Sequence, residues 1–441
     1  MKVMLKYELK RIFTKRLNRV LITIGLALSV ILSFLAATSN RFVSPQGHLE
    51  TGISATRKVV ADKNRNKGLM TPKRISELIT QDQRAFREYK DKGESDKIYG
   101  TSIQQYLDVE QLVSYILTGN EDYNPSVYLD VNPKKLLNIY KIREAKIQKL
   151  IRQNGKTEEQ RKYLKAQYDK ISTPYQYEAP DSWDTMQLYV VTYSIVLAVL
   201  MGVLASGIFS EEITLKADAI FFSSKYGRDK AIKTKISAGL ITSTGIYWIG
   251  MCLFTVISLT LMGTSGSHTL MSMLNSYTIY NVTYGQAFYI MMFAGYIANL
   301  LATTVSMLVS AIMGSPNIAI CIPFFLFCIM PFVGRIGGGK GIFLLTPDQL
   351  NNFQEIMKVN HIYQIGGFVT NQLALIVLIY VVVNLVLIPV IYSVYKRKSQ
   401  TGTIKNKKTG YFKNTNDTIN YNTIKERSVL EKLYIIQEIR K

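Results

Sequence analysis

Residues 210–235 read SEEITLKADAIFFSSKYGRDKAIKTK. Glu211 and Glu212 open the stretch, and Lys225, Arg228, Lys230, Lys233 and Lys235 close it. Between them Leu215, Ala219, Ile220 and Phe222 recur at helical spacing. Long apolar runs flank it, Gln187 to Phe209 and Ile236 to Met262, and neither holds Asp, Glu, Lys, Arg or His. A short basic loop between two such runs faces the cytoplasm, because Lys and Arg are retained on that side. The stretch is expected to be a cytoplasmic helix-turn-helix that offers a surface to another protein.

Working outward, the same segregation of charge governs the whole chain. Its 441 residues carry a formal net charge of +22, yet long tracts hold no charge at all. That pattern belongs to a membrane protein, and the basic excess suits inner loops and anionic lipid headgroups. No basic-aromatic module for nucleic acid is present. Val20 to Thr38 forms a first span, too long for the core of a signal peptide. Met1 to Arg19 before it places Leu5, Leu9, Ile12, Phe13 and Leu17 on one face among Lys and Arg, as in a helix lying along a membrane surface. After the second and third runs comes Gly263 to Gln286, with His268 as its only basic side chain. That loop marks the outer side. Ala287 to Met313 is a fourth span. Gly314 to Asn317 is a tight inner turn, and Ile318 to Val333 is a fifth span broken by Pro323 and Pro331. Leu373 to Tyr395 is the sixth, stopped by Lys396 to Lys398.

Counting six spans puts both termini inside and residues 39–186 outside. This large segment shows the amphipathic patterns Lys73 to Tyr89, Ile103 to Leu117 and Lys134 to Asn154. It carries helix starts at Thr71-Pro72, Asn132-Pro133 and the capping box Thr157 to Gln160. It has no cysteine, so no disulfide framework is expected. Trp183 and Tyr189 are expected at the membrane interface. The expected fold class is an all-α integral membrane protein of six transmembrane helices, with a large helical extracellular domain between the first and second. The domains are 1–38 (amphipathic helix and first span), 39–186 (extracellular) and 187–395 (spans two to six). Within the last, 210–235 is the coupling loop and 335–371 an outer segment with a short helix, Thr346 to Met357. A basic tail, 396–441, holds a candidate helix from Lys425 to Ile439.

Catalytic, metal and cofactor sites are not expected. Gly334 to Lys340 has the spacing of a phosphate loop, but Gly341 stands where the magnesium-binding hydroxyl belongs and no strand precedes it. His48, His268 and His361 are isolated. Asn281-Val-Thr283 fits a glycosylation acceptor at chance level. The spans contain no Asp, Glu, Lys, Arg or His for ion coupling, and Asn299, Asn384, Thr303 and Ser306 suit hydrogen bonds between helices. Energy for any uphill transport must come from another chain.

With these features in order, the chain resembles ABC-2-type permeases, the membrane subunits of bacterial ABC exporters. The resemblance covers residues 1–38 and 187–398. It rests on the amphipathic first helix, the six spans, and a loop with acidic start, short helix, small-residue turn, Arg and later Lys: Glu211-Glu212, Leu215 to Phe222, Ser223-Ser224, Gly227-Arg228 and Lys235. Lys225-Tyr226 stand where the family often has Pro. The resemblance implies half of a dimeric translocation pathway, paired with a second permease subunit, the same or homologous. A separate cytoplasmic ABC ATPase would be gripped through Glu211, Glu212, Leu215, Ala219, Ile220, Phe222 and Arg228. A peptide or lipid-like substrate would be exported. The large outer domain departs from the family's short first loop. The alternative is a non-transporting sensor or scaffold in the bilayer whose extracellular helical domain binds a ligand.

Overall fold

The computed structural model describes residues 2–90, 95–119, 125–275, 277–336 and 341–398. The candidate helix at Lys425 to Ile439 and residues 337–340 lie outside the described residues. About 79% of the described residues are helical, so the all-α class holds. Among the described residues six helices are long and apolar enough to cross a membrane: Arg16–Thr38, Asp181–Thr214, Lys230–Met262, Tyr284–Met313, Pro316–Val333 and Gln372–Arg397. They are spans 1 to 6 below.

Spans 2 and 4 form the centre of the bundle and are the most buried, while spans 5 and 6 leave most of their apolar surface outward. Close approach sets the packing. A Cβ on Gly202 of span 2 would lie 2.4 Å from the ring of Pro323, so only glycine lets spans 2 and 5 meet there. Pro323 does not break span 5 as expected. The helix continues through a wide π turn, Phe325–Ile329, which absorbs the hydrogen bond that proline removes. Hydroxyls and amides bind neighbouring helices inside the bundle. Asn299 donates to Ser243 (2.7 Å), Thr304 donates to the side-chain oxygen of Asn384 (2.9 Å), and Ser306 donates to the Ala319 carbonyl (3.3 Å).

The first helix, Lys2–Thr14, ends before span 1, because Lys15 takes an extended conformation. The break divides the expected apolar face. Ile12 is buried and Leu5 and Leu9 pack against the bundle, but Phe13 and Leu17 are exposed.

Residues 40–180 form the polar domain, built on helices Ile53–Lys63, Pro72–Lys90, Gln104–Thr118, Ile139–Asn154 and Glu158–Tyr168. The expected helix from Lys134 starts as a 3-10 turn, Pro133–Asn138, capped by Asn132, and becomes α-helical only at Ile139. Thr157 caps Gln160 as expected, but the Gln160 side chain accepts from Lys156 N–H rather than closing the box on Thr157. Short antiparallel pairs modify the all-helical expectation: Phe42–Val43 with Leu49–Glu50, and Gly68–Leu69 with Gln176–Tyr177. A third, Ile362–Ile365 with Phe368–Asn371, lies in the segment before span 6, where Gly366 and Gly367 make the hairpin turn. The expected helix Thr346 to Met357 is a 3-10 turn, Pro347–Asn351, followed by a helix, Phe353–Lys358. Thr346 makes no cap; its hydroxyl donates to Phe343 O.

The polar domain sits on the ends of the spans through specific bonds. Arg57 donates to the carbonyls of Leu261 (2.8 Å) and Thr260 (2.7 Å), and Asn64 donates to Ser265 (2.7 Å). No linker separates domain from span at residue 186, because one helix runs from Asp181 to Thr214. Trp183 is not at an interface with lipid. It is buried against Phe288, with its indole N–H donating to Thr264 O at 3.1 Å.

Candidate functional site

Glu211 and Glu212 do not open a helix; they close span 2. Carboxylates at a helix C-terminus face the negative end of its dipole and need cations nearby. Three arrive from two other elements. From the first helix and its break, Arg11 meets Glu212 at 2.7 Å and Glu211 at 3.5 Å, and Lys15 meets Glu211 at 2.5 Å. From span 3, Lys235 meets Glu212 at 2.5 Å and donates to Ile208 O at 3.0 Å. Glu8 completes the set, 2.8 Å from Arg11 and 3.8 Å from Lys235. Three acids and three bases thus tie the first helix, span 2 and span 3 into one ionic cluster. Lys235 is wholly buried within it. Burial opposes the charge on Arg11, but Glu8, Glu212 and Glu211 outweigh it and hold its pKa above the ordinary arginine value.

The chain leaves span 2 through a left-handed turn. Ala217 N–H bonds Glu212 O (2.8 Å) and Lys216 N–H bonds Ile213 O (3.1 Å), the pairing of a Schellman cap. Lys216 occupies the position that favours glycine, with φ 55°. The absence of a glycine hid this helix end from sequence reasoning. A short helix, Asp218–Ser223, follows.

That helix divides the predicted apolar residues. Phe222 is buried, its ring 5.2 Å from Tyr395 and capped by the Arg228 guanidinium at 4.8 Å. Arg228 also donates to Lys396 O at 2.9 Å and thereby holds the loop on the end of span 6. Gly227 permits this return, since a Cβ there would fall 1.8 Å from Phe221 O. Phe222 is therefore an internal anchor rather than an exposed one, and Arg228 serves it. Leu215, Ala219 and Ile220 are exposed; Leu215 and Ile220 keep 69% and 75% of their surface open. The loop presents an aromatic side to its own chain and an aliphatic side outward. Sequence reasoning missed the basic half of the cluster, Arg11 and Lys15. Their partners lie about 200 residues away in the chain, and no local pattern joins them.

At the far end of span 2 a second charged group is buried. Lys63 lies 2.8 Å from Asp108 and 2.7 Å from Asp181, and Tyr177 donates to Asp108 at 2.8 Å. Burial opposes the Lys63 charge, but Asp108 and Asp181 outweigh it and raise its pKa. This group joins the polar domain to span 2. Among the described residues, no cluster of His, Cys, Asp and Glu could hold a metal ion. Cys252, Cys321 and Cys328 are free thiols. Asn281 and Thr283 are both engaged in the fold, Asn281 with Lys170 O and Thr283 as the cap of span 4.

No family model, curated protein or solved structure matches this chain.

Proposed function

We propose that the protein is the permease subunit of an ATP-driven exporter of the ABC-2 type, coupled to a separate cytoplasmic ATPase. The observation that carries this reading is the loop helix with its two faces. Leu215, Ala219 and Ile220 stand open to a partner. Just before that helix, at the end of span 2, the Glu211–Glu212 cluster joins span 2 to the first helix and span 3. A groove on the ATPase would take the aliphatic face, as grooves take amphipathic helices. Movement of that groove would reach three elements at once through the ionic cluster and rock the spans between two arrangements. In this reading the chain does no chemistry and binds no cofactor. A second permease subunit completes the pathway, both termini and the 210–235 loop are cytoplasmic, and residues 39–186 are extracellular. The exported molecule is a peptide or lipid-like compound.

The test replaces the exposed residues and spares the buried one. Leu215→Ser with Ile220→Ser should leave membrane insertion and thermal stability unchanged while ATPase copurification and export fall together. Each aliphatic side chain lost from such a contact is worth about 1–2 kcal/mol. Phe222→Ser is the folding control and should lower stability. A double variant that still binds the ATPase and exports at the normal rate would remove the loop as the coupling element.

A further inference from the structure

A cavity of about 630 Å³ opens where three separate outer stretches meet the top of span 2. The polar domain contributes Gln111 and Tyr115, the connection between spans 3 and 4 contributes Tyr277, span 4 contributes Tyr284, the short helix before the outer hairpin contributes Lys358, and span 2 contributes Asp184. Its volume lies in the range that holds a small organic molecule, roughly 300–1,000 Å³, and junctions between structural units are where such sites occur.

The electrostatics of the wall select the ligand. Asp184 is exposed, and no other described residue gives its carboxylate a hydrogen bond or an ion pair within contact distance. Asp181, one turn earlier on the same helix, is committed to Lys63, as is Asp108. Its second oxygen is nevertheless buried with no hydrogen-bond partner. Asp108 and Asp181 therefore share one lysine, and Asp184 has none in contact. Lys358 adds no free charge, since it pairs with Glu355 at 2.8 Å. The lining itself holds one acid, Asp184, and one base, Lys358, but with Asp181, Asp108 and Glu355 set against Lys63 the named acids around the cavity outnumber the bases, in a chain of net charge +22. The tyrosines add a second preference. Gln111 engages the Tyr115 hydroxyl at 2.8 Å and the Tyr277 hydroxyl donates to Ile116 O at 2.9 Å, so their rings are what they offer. Aromatic faces attract cations and pack against flat apolar bodies. An anion would meet Asp184 unpaired, and a metal ion would find a single carboxylate in the lining.

We propose that this cavity binds a small organic cation, a protonated primary amine on an aromatic or apolar body, with Asp184 as its counter-ion. The bound amine would bridge the polar domain, the connection between spans 3 and 4, and span 2. Because Asp184 and Glu211 lie on one continuous helix, occupancy would be felt about 40 Å away along its axis at the ionic cluster.

The experiment titrates the purified full-length protein calorimetrically at neutral pH and low salt. The probes are phenethylamine, its neutral analogue 2-phenylethanol and the anion 3-phenylpropanoate. Saturable amine binding is expected, with the alcohol at least about tenfold weaker and the anion not bound. Asp184→Asn should reduce amine affinity to that of the alcohol while leaving the alcohol unchanged. Gln111→Lys, which places a competing cation in the polar domain's part of the lining, should abolish amine binding and serves as the judge if Asp184→Asn fails to fold by circular dichroism. No saturable amine binding, equal affinity for amine and alcohol, or amine affinity retained in whichever variant folds would overturn the proposal. No ATPase enters the measurement, so its failure leaves the coupling reading standing, and the reverse also holds.

Discussion

Two buried acids carry opposite expectations. Asp82 is fully buried in the polar domain, and one of its oxygens has no hydrogen-bond partner. Burial pushes its carboxyl pKa up, against the lowering effect of hydrogen bonds to Ser102 and Glu110. A carboxyl raised on folding favours the native state only below its ordinary pKa of 3.8, and that favour is lost as pH rises through the folded value. At pH 7 the ionised form is therefore a cost. Asp82→Asn, whose amide can donate to Glu110, should stabilise the protein on the order of 1 kcal/mol at pH 7, with the gain fading toward pH 4. Thermal unfolding at both pH values measures it, and a loss of stability at pH 7 would refute it. Glu212 is the reverse case, an acid whose burial is matched by Arg11 and Lys235. Lys235→Met leaves Glu212 with Arg11 alone and should cost about 1–3 kcal/mol, whereas adding Glu212→Met should recover part of the loss. A single variant as stable as the parent would mean that the cluster is not a unit.

At the scale of the element, the end of span 2 is the informative case. The turn at Lys216 holds a non-glycine residue at φ 55°, which costs an L-residue about 1–2 kcal/mol. The cost is borne because the turn throws the 218–223 helix back over the aromatic group of Phe209, Phe221, Phe222 and Tyr395. Lys216→Gly should raise the unfolding midpoint, with a gain of about 1 kcal/mol. A lowered midpoint would show that the Lys216 side chain makes up for its backbone. If coupling needs the turn to be held rigidly, ATPase stimulation in the glycine variant should fall even as stability rises.

At the scale of the whole molecule, one ionic group closes each end of span 2. Lys63, Asp108 and Asp181 join it to the polar domain, and Glu211 and Glu212 join it to the first helix and span 3. The side on which each group lies is open to direct measurement. In a variant stripped of Cys252, Cys321 and Cys328, Lys73→Cys should react with an impermeant maleimide in intact cells. Lys73 suits the label because 83% of its side chain is open to solvent. Ser76 nearby is a poorer choice, since its hydroxyl donates to Pro133 O at 2.8 Å. Labelling that occurs only after lysis would invert the topology and place the 210–235 loop outside, away from any ATPase.

Apolar length and local charge were legible in the sequence because they are local. Among the described residues, the six helices able to cross a membrane fall on the six apolar runs, since about 20 uninterrupted apolar residues have few other soluble uses. Legible too were the starts at Thr71, Asn132 and Thr157, where a side chain and a backbone N–H two or three residues on settle the matter. Sequence also singled out Leu215, Ala219 and Ile220 as one apolar set with Phe222. Which of them faces inward was decided only by the fold, because Tyr395 and the carbonyls that hold Arg228 come from the far end of the chain. The same holds for Glu211 and Glu212. Their helix, their partners and their distance from Asp184 follow from Arg11, Lys15 and Lys235 arriving from elements remote in sequence. Ion pairs between distant segments leave no periodic signal, so only the packed spans could bring those charges to one place.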